Sequence, residues 1–567
     1  MPQRRANARR ICVFTPQGGG FYAGEVLTGI DDVCIQQNLQ PVVIQTAFGW
    51  QASTMDAGPA ADYYRMVRAL RIGIIPITAT SHPEELAILS HIDEPMVAIA
   101  GRNPHPDGPS MVVDNAGGAA QAVEHFLTHG HRRIGFVGAL NQDDYVGRYR
   151  GYCSALEAAG IDVDPALVRI ARTEMSPSGR EAAKSMMEAG LPPSAIFAAT
   201  DGLALDLIVG FAEAGIVVPD DIAIIGFNDS EVAQSAVPAL TSVRQNPRAL
   251  GTAAMRVLLD LMNGTPGTEG VHVMPTALVL RHSCGCFDAE EGLVHSAHDW
   301  NAPDWKERLS EVLEKALVGL PEFSSTDRSG EIWPGVKTVI RAFDAAVLGA
   351  PVTHVTELDE AWRSASRQTR NAETLLGLVD LLEFVGLFRQ PGASKDPDTI
   401  RPRLREFLAQ ARLQILRYCA TVDSLHTEVA DVQLDLTRWF LRLEPGRETD
   451  LEWLSKVNAT HGCLAFWEPT EHGRELVVRA TYGLATGKLR AGSRIAVEDF
   501  PPADWVGDAE GDGASGTVTI LPIGTPRHDW GVVAVLLNKE HRYFDDFWTL
   551  QHGCSLLALV LEQNAAS

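Results

Sequence analysis

The chain has 567 residues, 45% of them hydrophobic, which is enough for about three to four domains with cores of their own. Its 72 acidic against 48 basic side chains give a net charge of −24, a balance that opposes nonspecific association with DNA or anionic lipid. No stretch is apolar enough to span a bilayer and the start has no secretory-signal core, while the eight cysteines, several inside apolar runs (Cys12, Cys34, Cys153), do not form a disulfide framework; a reduced, cytoplasmic protein with no membrane partner and no cofactor is expected.

Residues 1–10, MPQRRANARR, read as a disordered basic start. Arg4, Arg5, Arg9 and Arg10 suit a light phosphate contact, but ten residues do not make a three-helix DNA-binding module, so direct DNA binding is not expected. ICVFTP opens a strand near Ile11 and TPQGGGFYAGEV follows as a glycine-rich turn into a helix. The lysine and spacing of a Walker A loop are absent. Gly18 to Gly20 instead let backbone approach a ligand, with Gln17, Phe21 and Tyr22 as candidate contacts, although an aromatic here serves equally as core.

From Val112 to Tyr152 the pattern is strand, helix, strand and a polar turn into a second helix. Ala119, Val123, Phe126 and Leu127 fall at helical spacing, Gly130 stands where a left-handed C-cap belongs, and Ile134 to Val137 suits a buried parallel strand. Strand-like runs recur at Ile196–Ala199 and Ile222–Gly226. In an open α/β sheet the ligand lies beyond the carboxyl ends of the strands, which singles out Asp114, Asp201 and Asn228. Helix capping competes with ligand contact at Asp114 and leads at Asp201; Asp229 is as much a turn or cap residue as a contact.

The stretches VVDNAGGAAQAVEHFLTHGHRRIGFVGA, GRYRGY, IFAATDGLALDLIVGFAEAGIVVPDDIAIIGFNDSEVA and PALTSVRQNPRALGTAAMRVLLDLMNG together resemble the sensor domain of LacI/GalR repressors, over residues 11–287. The resemblance implies an α/β fold of two Rossmann-like lobes, of the periplasmic-binding-protein type, with a sugar or nucleobase-type molecule between them. It implies that Arg148 aims its guanidinium at ligand oxygens, that Asn228 stands where many relatives carry an aspartate for sugar hydroxyls, and that Gln245 lines the cleft. Thr200 stands in place of a frequent asparagine. Glu174 occupies a position that is often aromatic, and a carboxylate there favours hydroxyl-rich or cationic ligands. The segment closes on RHSCGCF. His282, Cys284 and Cys286, with His295 and His298, are zinc-type donors, but Cys-x-Cys is tighter than structural-site spacing, so reduced thiols at a domain edge are expected and no metal.

Residues 304–390 read as a helical bundle, with Leu309, Val312, Leu313, Ala316 and Leu317 on one face and Leu358, Ala361, Trp362 and Ala365 on another. RQPGASKDPDT is a break. Over 401–443, Leu404, Leu408, Ala411, Ile415, Tyr418, Val422, Leu425, Val429, Val432, Leu436 and Trp439 alternate spacings of four and three without Gly or Pro. That pattern predicts one long helix, seated either in a coiled coil with a second copy or in its own chain's bundle. Residues 448–563, with CLAFWE, ELVVRATYG, TVTILPIG, WGVVAVLLN and a closing helix, resemble a GAF domain, an α+β fold around a small-molecule pocket.

The reading is a cytoplasmic ligand-responsive regulator, expected as a homodimer, that senses a sugar-like molecule and relays lobe closure through the helices to the GAF-like segment. No cyclase, kinase or phosphorelay motif supplies an output, so a separate effector protein is expected. The alternatives, in order, are a transcription regulator working through a DNA-binding partner, an enzyme, and a transport binding protein. No G-x-S-x-G elbow, paired-histidine motif or Walker sequence organises a catalytic centre.

Overall fold

Apolar runs of four to six residues bounded by turns become buried strands, and the structure, a computed structural model, shows this in both halves of the chain. It describes residues 10–16, 21–46, 62–63, 65–66, 73–77, 83–173, 176–190, 193–286, 300, 302–318, 333, 335–350, 355–368, 372–389, 402–444, 446–471, 473–483, 490–501, 516–525, 528–538 and 543–566. The basic start up to Arg9, the break at 390–400, Gln17, Glu174, His295, His298 and the side chain of Phe21 lie outside the described residues.

The elements begin with β1 (Arg10–Thr15), α1 (Phe21–Gln36), β2 (Gln40–Gln45), β3 (Gly73–Pro76), α2 (Pro83–Leu89), β4 (Ala98–Ile99) and β5 (Ser110–Val113). Then come α3 (Asn115–Thr128), β6 (Ile134–Gly138), α4 (Asp143–Ala158), β7 (Val168–Ile170), α5 (Ser178–Glu188), β8 (Ala195–Ala198), α6 (Asp201–Glu213) and β9 (Ala223–Asn228). Next are α7 (Glu231–Ser235), β10 (Thr241–Arg244), α8 (Pro247–Met262), β11 (Val271–Met274) and β12 (Ala277–Val279). The helices α9 (Trp305–Val318), α10 (Val336–Val347), α11 (Val355–Gln368), α12 (Ala372–Arg389) and α13 (Pro402–Leu441) follow. The chain closes with β13 (Ala459–Thr470), β14 (Gly473–Tyr482), β15 (Arg494–Ile495), β16 (Gly516–Gly524), β17 (Asp529–Asn538) and α14 (Tyr543–Ala566).

The chain divides into two units. Met1–Val112, Pro247–Met274 and His426–Ser567 form the first. Its β1, β2 and β3 are parallel and buried, as strands covered on both faces are, with α1 and α8 packed together. These helices touch at glycine: a Cβ added to Gly251 would stand 2.1 Å from the carbonyl oxygen of Val26.

The C-terminal strands, set apart as a domain by the sequence reading, do not keep a sheet to themselves. β16 pairs in parallel with β2, Val518 opposite Val42 and Ile520 opposite Ile44, giving one eight-stranded sheet in the order β15-β14-β13-β17-β16-β2-β1-β3. Phe14, Val42 and Ile44 share a core with Cys463, Val518, Ile520 and Val532. The physical reason is the open edge of β2, whose N–H and C=O groups otherwise lack strand partners.

A cluster of charge reinforces the junction. Arg474 on β14 donates to Asp62 at 2.9 and 2.7 Å and to Asp529 at 2.6 Å, and lies over the ring of Trp467, whose indole N–H also reaches Asp529. Arg474→Met strands two largely buried carboxylates and is expected to cost about 2–3 kcal/mol, read by chemical denaturation followed through tryptophan fluorescence.

The second unit comprises Val113–Asn246 and Pro275–Leu425. A six-stranded sheet runs β12-β10-β9-β8-β6-β7, parallel except for β12 against β10. Gly130 has φ 85°, the left-handed helix end its position requires. In the same unit α9 to α12 enclose a core containing Leu309, Leu313, Trp333, Phe343, Trp362 and Leu382. The seam residues Leu404, Leu408, Ala411 and Ile415 of α13 are buried in that core, so this half of the heptad pattern is satisfied within the chain. Leu413 and Leu416 face solvent instead. Among the described residues no helix is long and apolar enough to cross a membrane.

Candidate ligand site at the strand ends of the second unit

Beyond the carboxyl ends of β8, β9 and β10 the sequence must place polar groups where buried strands stop, and each has to be satisfied there. Arg148, inside α4, is 2% exposed. Its Nε donates to Asn115 Oδ1 at 2.8 Å and Nη1 to the carbonyl of Ala199 at 2.6 Å, while the guanidinium carbon sits 3.8 Å from the ring centre of Phe227. Asn115 donates to Asp144 Oδ1 at 2.9 Å. Burial raises the Asp144 carboxyl, against the opposing pull of Arg148 and Asn115. The guanidinium predicted to face ligand oxygens thus spends these two donors on the lobe itself, tying the starts of α3 and α4 to the end of β8.

Asp201 is corrected from helix cap to buried hub. The cap of α6 is Thr200, whose Oγ1 accepts from Leu203 N, so that hydroxyl serves the helix. Asp201 Oδ1 accepts from Ser242 Oγ at 2.5 Å and Oδ2 from the N–H and hydroxyl of Ser230 at 2.7 and 2.8 Å. Burial pushes its carboxyl up to about 7 against these donors. Asp229 is neither turn nor cap residue but an ion-pair centre, with Arg244 Nε at 2.5 Å and Arg281 Nη2 at 2.6 Å. Burial opposes its charge, yet the two arginines outweigh burial and hold the carboxyl below its usual range. Asp114 resolves as the N-cap of α3, accepting from Gly117 N at 2.8 Å.

Two of the predicted contacts come together. Gln245, 5% exposed just past β10, donates from Nε2 to Asn228 Oδ1 at 2.8 Å. Asn228 ends β9 with φ 118°, a conformation that costs a side-chain-bearing residue energy and re-aims the chain at that point. Gln245 Oε1 is buried and finds no hydrogen-bond partner among the described residues. Tyr22 belongs to α1 of the first unit. Sequence reasoning missed Asn115, Ser230, Ser242 and Arg281. Arg281 was visible: a lone arginine closing the apolar run TALVL has to find a buried acid.

A parallel α/β lobe with amide, carboxylate and guanidinium groups gathered at its strand ends has the arrangement in which open α/β sheets hold small molecules. Residues 123–284 match the family model described as a periplasmic binding protein-like domain. The chain is 28% identical over 278 residues to the HTH-type transcriptional regulator DegA of Bacillus subtilis (strain 168), covering 48% of this chain and 80% of that protein. It is 33% identical over 191 residues to the HTH-type transcriptional repressor CytR of Escherichia coli (strain K12), covering 33% and 55%, and 37% identical over 174 residues to the HTH-type transcriptional regulator CelR of Thermobifida fusca, covering 30% and 50%. Against CytR and CelR the chain spans about half of the relative's length. These relatives are named as transcriptional regulators, and the enzyme reading draws no support from them. They also lend no support to the charge-based expectation that direct DNA binding is absent, since their names carry a helix-turn-helix.

Proposed function

We propose that the protein is a cytoplasmic, ligand-responsive transcription or signalling regulator whose small molecule, sugar-like and rich in hydroxyl donors, is read at Gln245 and Asn228. The observation that carries this reading is Gln245 Oε1. A buried acceptor without a partner costs about 1–3 kcal/mol, and a donor on a bound ligand removes that cost. Arg148, Asp201, Thr200 and Asp114 hold the strand ends and helix starts around the pair and act on the ligand through them.

In this reading the GAF-like strands are the receiving element, because they extend the sheet of the first unit instead of hanging from a linker. Leu413 and Leu416, exposed on α13 within the second unit, supply an apolar patch for a second copy and hence the homodimer. A second reading, action through a separate DNA-binding partner, is favoured by the net charge of −24.

The test is a thermal-shift panel of sugars, sugar phosphates, polyols and nucleosides on the full chain and on Gln245→Leu. A ligand that binds the folded state raises the wild-type melting temperature. Gln245→Leu removes the partnerless acceptor along with one hydrogen bond, so its own melting temperature is expected to stay within a few degrees. The ligand-induced shift disappears. An unchanged shift in the variant rejects this site.

A further inference from the structure

The last turn of α3 carries His125 and ends at His129, four residues on, so both imidazoles lie on one helix face. The segment after β12 returns to that face and brings Cys286 with it. Cys286 Sγ lies 3.5 Å from His125 Nε2 and 3.4 Å from His129 Nε2, and all three donor atoms fall within 4.8 Å of one another. Of the zinc donors considered from sequence only Cys286 belongs to this cluster: Cys284 accepts from Thr241 Oγ1 and donates to the carbonyl of Arg281, while His295 and His298 lie outside the described residues.

We infer that His125, His129 and Cys286 form a transition-metal site, with Zn²⁺ as the ion whose geometry they fit. Zinc bonds of about 2.3 Å to sulfur and 2.0–2.1 Å to nitrogen, at a tetrahedral angle, place sulfur and nitrogen ligands roughly 3.5 Å apart. The two sulfur–nitrogen distances have that value without any movement. Closing the two imidazole nitrogens to about 3.4 Å needs only a ring rotation of His129, which is exposed.

Two further features agree. The site stands at the carboxyl end of α3, where the helix dipole favours a cation. The set is His₂Cys, and soft thiolate with imidazole selects zinc over magnesium or calcium. On binding, the Cys286 thiol forms the sulfur–metal bond and gives up its proton to solvent, leaving a thiolate ligand. The fourth position is left to water. The consequence is a clip between α3 and the end of the periplasmic binding protein-like segment, bridging residues 157 apart in sequence.

The test uses the full chain, stripped with chelator and reduced. One equivalent of Zn²⁺ is expected to bind and raise the melting temperature, and Co²⁺ in its place is expected to give the near-ultraviolet thiolate charge-transfer band of a tetrahedral site. Cys286→Ser abolishes that band, and His129→Ala, an exposed position that leaves folding intact, weakens zinc on the order of a hundredfold. Far-ultraviolet dichroism of both metal-free variants checks that they fold. Absence of stoichiometric uptake in the reduced wild type overturns the assignment. So does a cobalt spectrum without a thiolate band, or uptake that survives both substitutions.

Discussion

Asp229→Asn is expected to destabilise the protein by about 3–5 kcal/mol, among the largest effects available to a single substitution outside the cores. The carboxylate it removes is buried between Arg244 and Arg281, and the side chain of Arg281 is 3% exposed. An amide accepts from one arginine and presents its N–H₂ to the other, so a buried guanidinium is left without an anion. The same pair sets an acid limb. Because the folded-state carboxyl titrates below its unfolded value, the stability it contributes is present above about pH 4 and is lost as pH falls through the lower folded value. Urea midpoints measured between pH 7 and pH 3 should therefore fall for the wild type. The loss should be smaller for Asp229→Asn, which lacks the titrating group.

Arg148→Met is expected to cost about 3 kcal/mol and to abolish ligand binding even where the variant remains folded. Two charge-assisted hydrogen bonds, to Asn115 and to the carbonyl of Ala199, are worth roughly 1.5–3 kcal/mol each before relaxation, and the stacking on Phe227 is lost with them. Asp144 also loses the neighbouring charge that favours its ionised form. Arg148→Lys does not rescue, since a point charge with tetrahedral donors cannot span both acceptors and lie flat on an aromatic ring. The two quantities separate by measuring melting temperature without ligand and ligand affinity by calorimetry. A lysine variant with both intact contradicts the positioning role.

The lobe around Arg148 was legible because its signals are local. The strand runs at Ile134 and Ile196, the left-handed position of Gly130 and the polar residue after each strand are each set by residues adjacent in sequence. What those polar residues do was not legible. Asp201 and Thr200 exchange roles because capping depends on which residue keeps extended backbone, a difference of one position that sequence pattern does not resolve. Asp229 looked like a turn residue because its partner Arg281 lies 52 positions away. The joining of β16 to β2 is further still from local pattern: both are plain apolar strands, and nothing in either specifies that the edge of one meets the edge of the other. The heptads of α13 show the same limit, since a period identifies a buried stripe without saying whose helices bury it.

The account rests on a ligand held at the ends of β8, β9 and β10, and hydrogen exchange on the full chain with and without the strongest ligand from the panel tests that most directly. The expected result is slowed exchange concentrated in peptides covering Ala199–Leu203, Gly226–Ser230 and Arg244–Pro247, with the same peptides unprotected in Gln245→Leu. Protection confined to peptides from Ala459 to Asn538, with these three unchanged, would contradict the account and move the sensing site to the C-terminal strands.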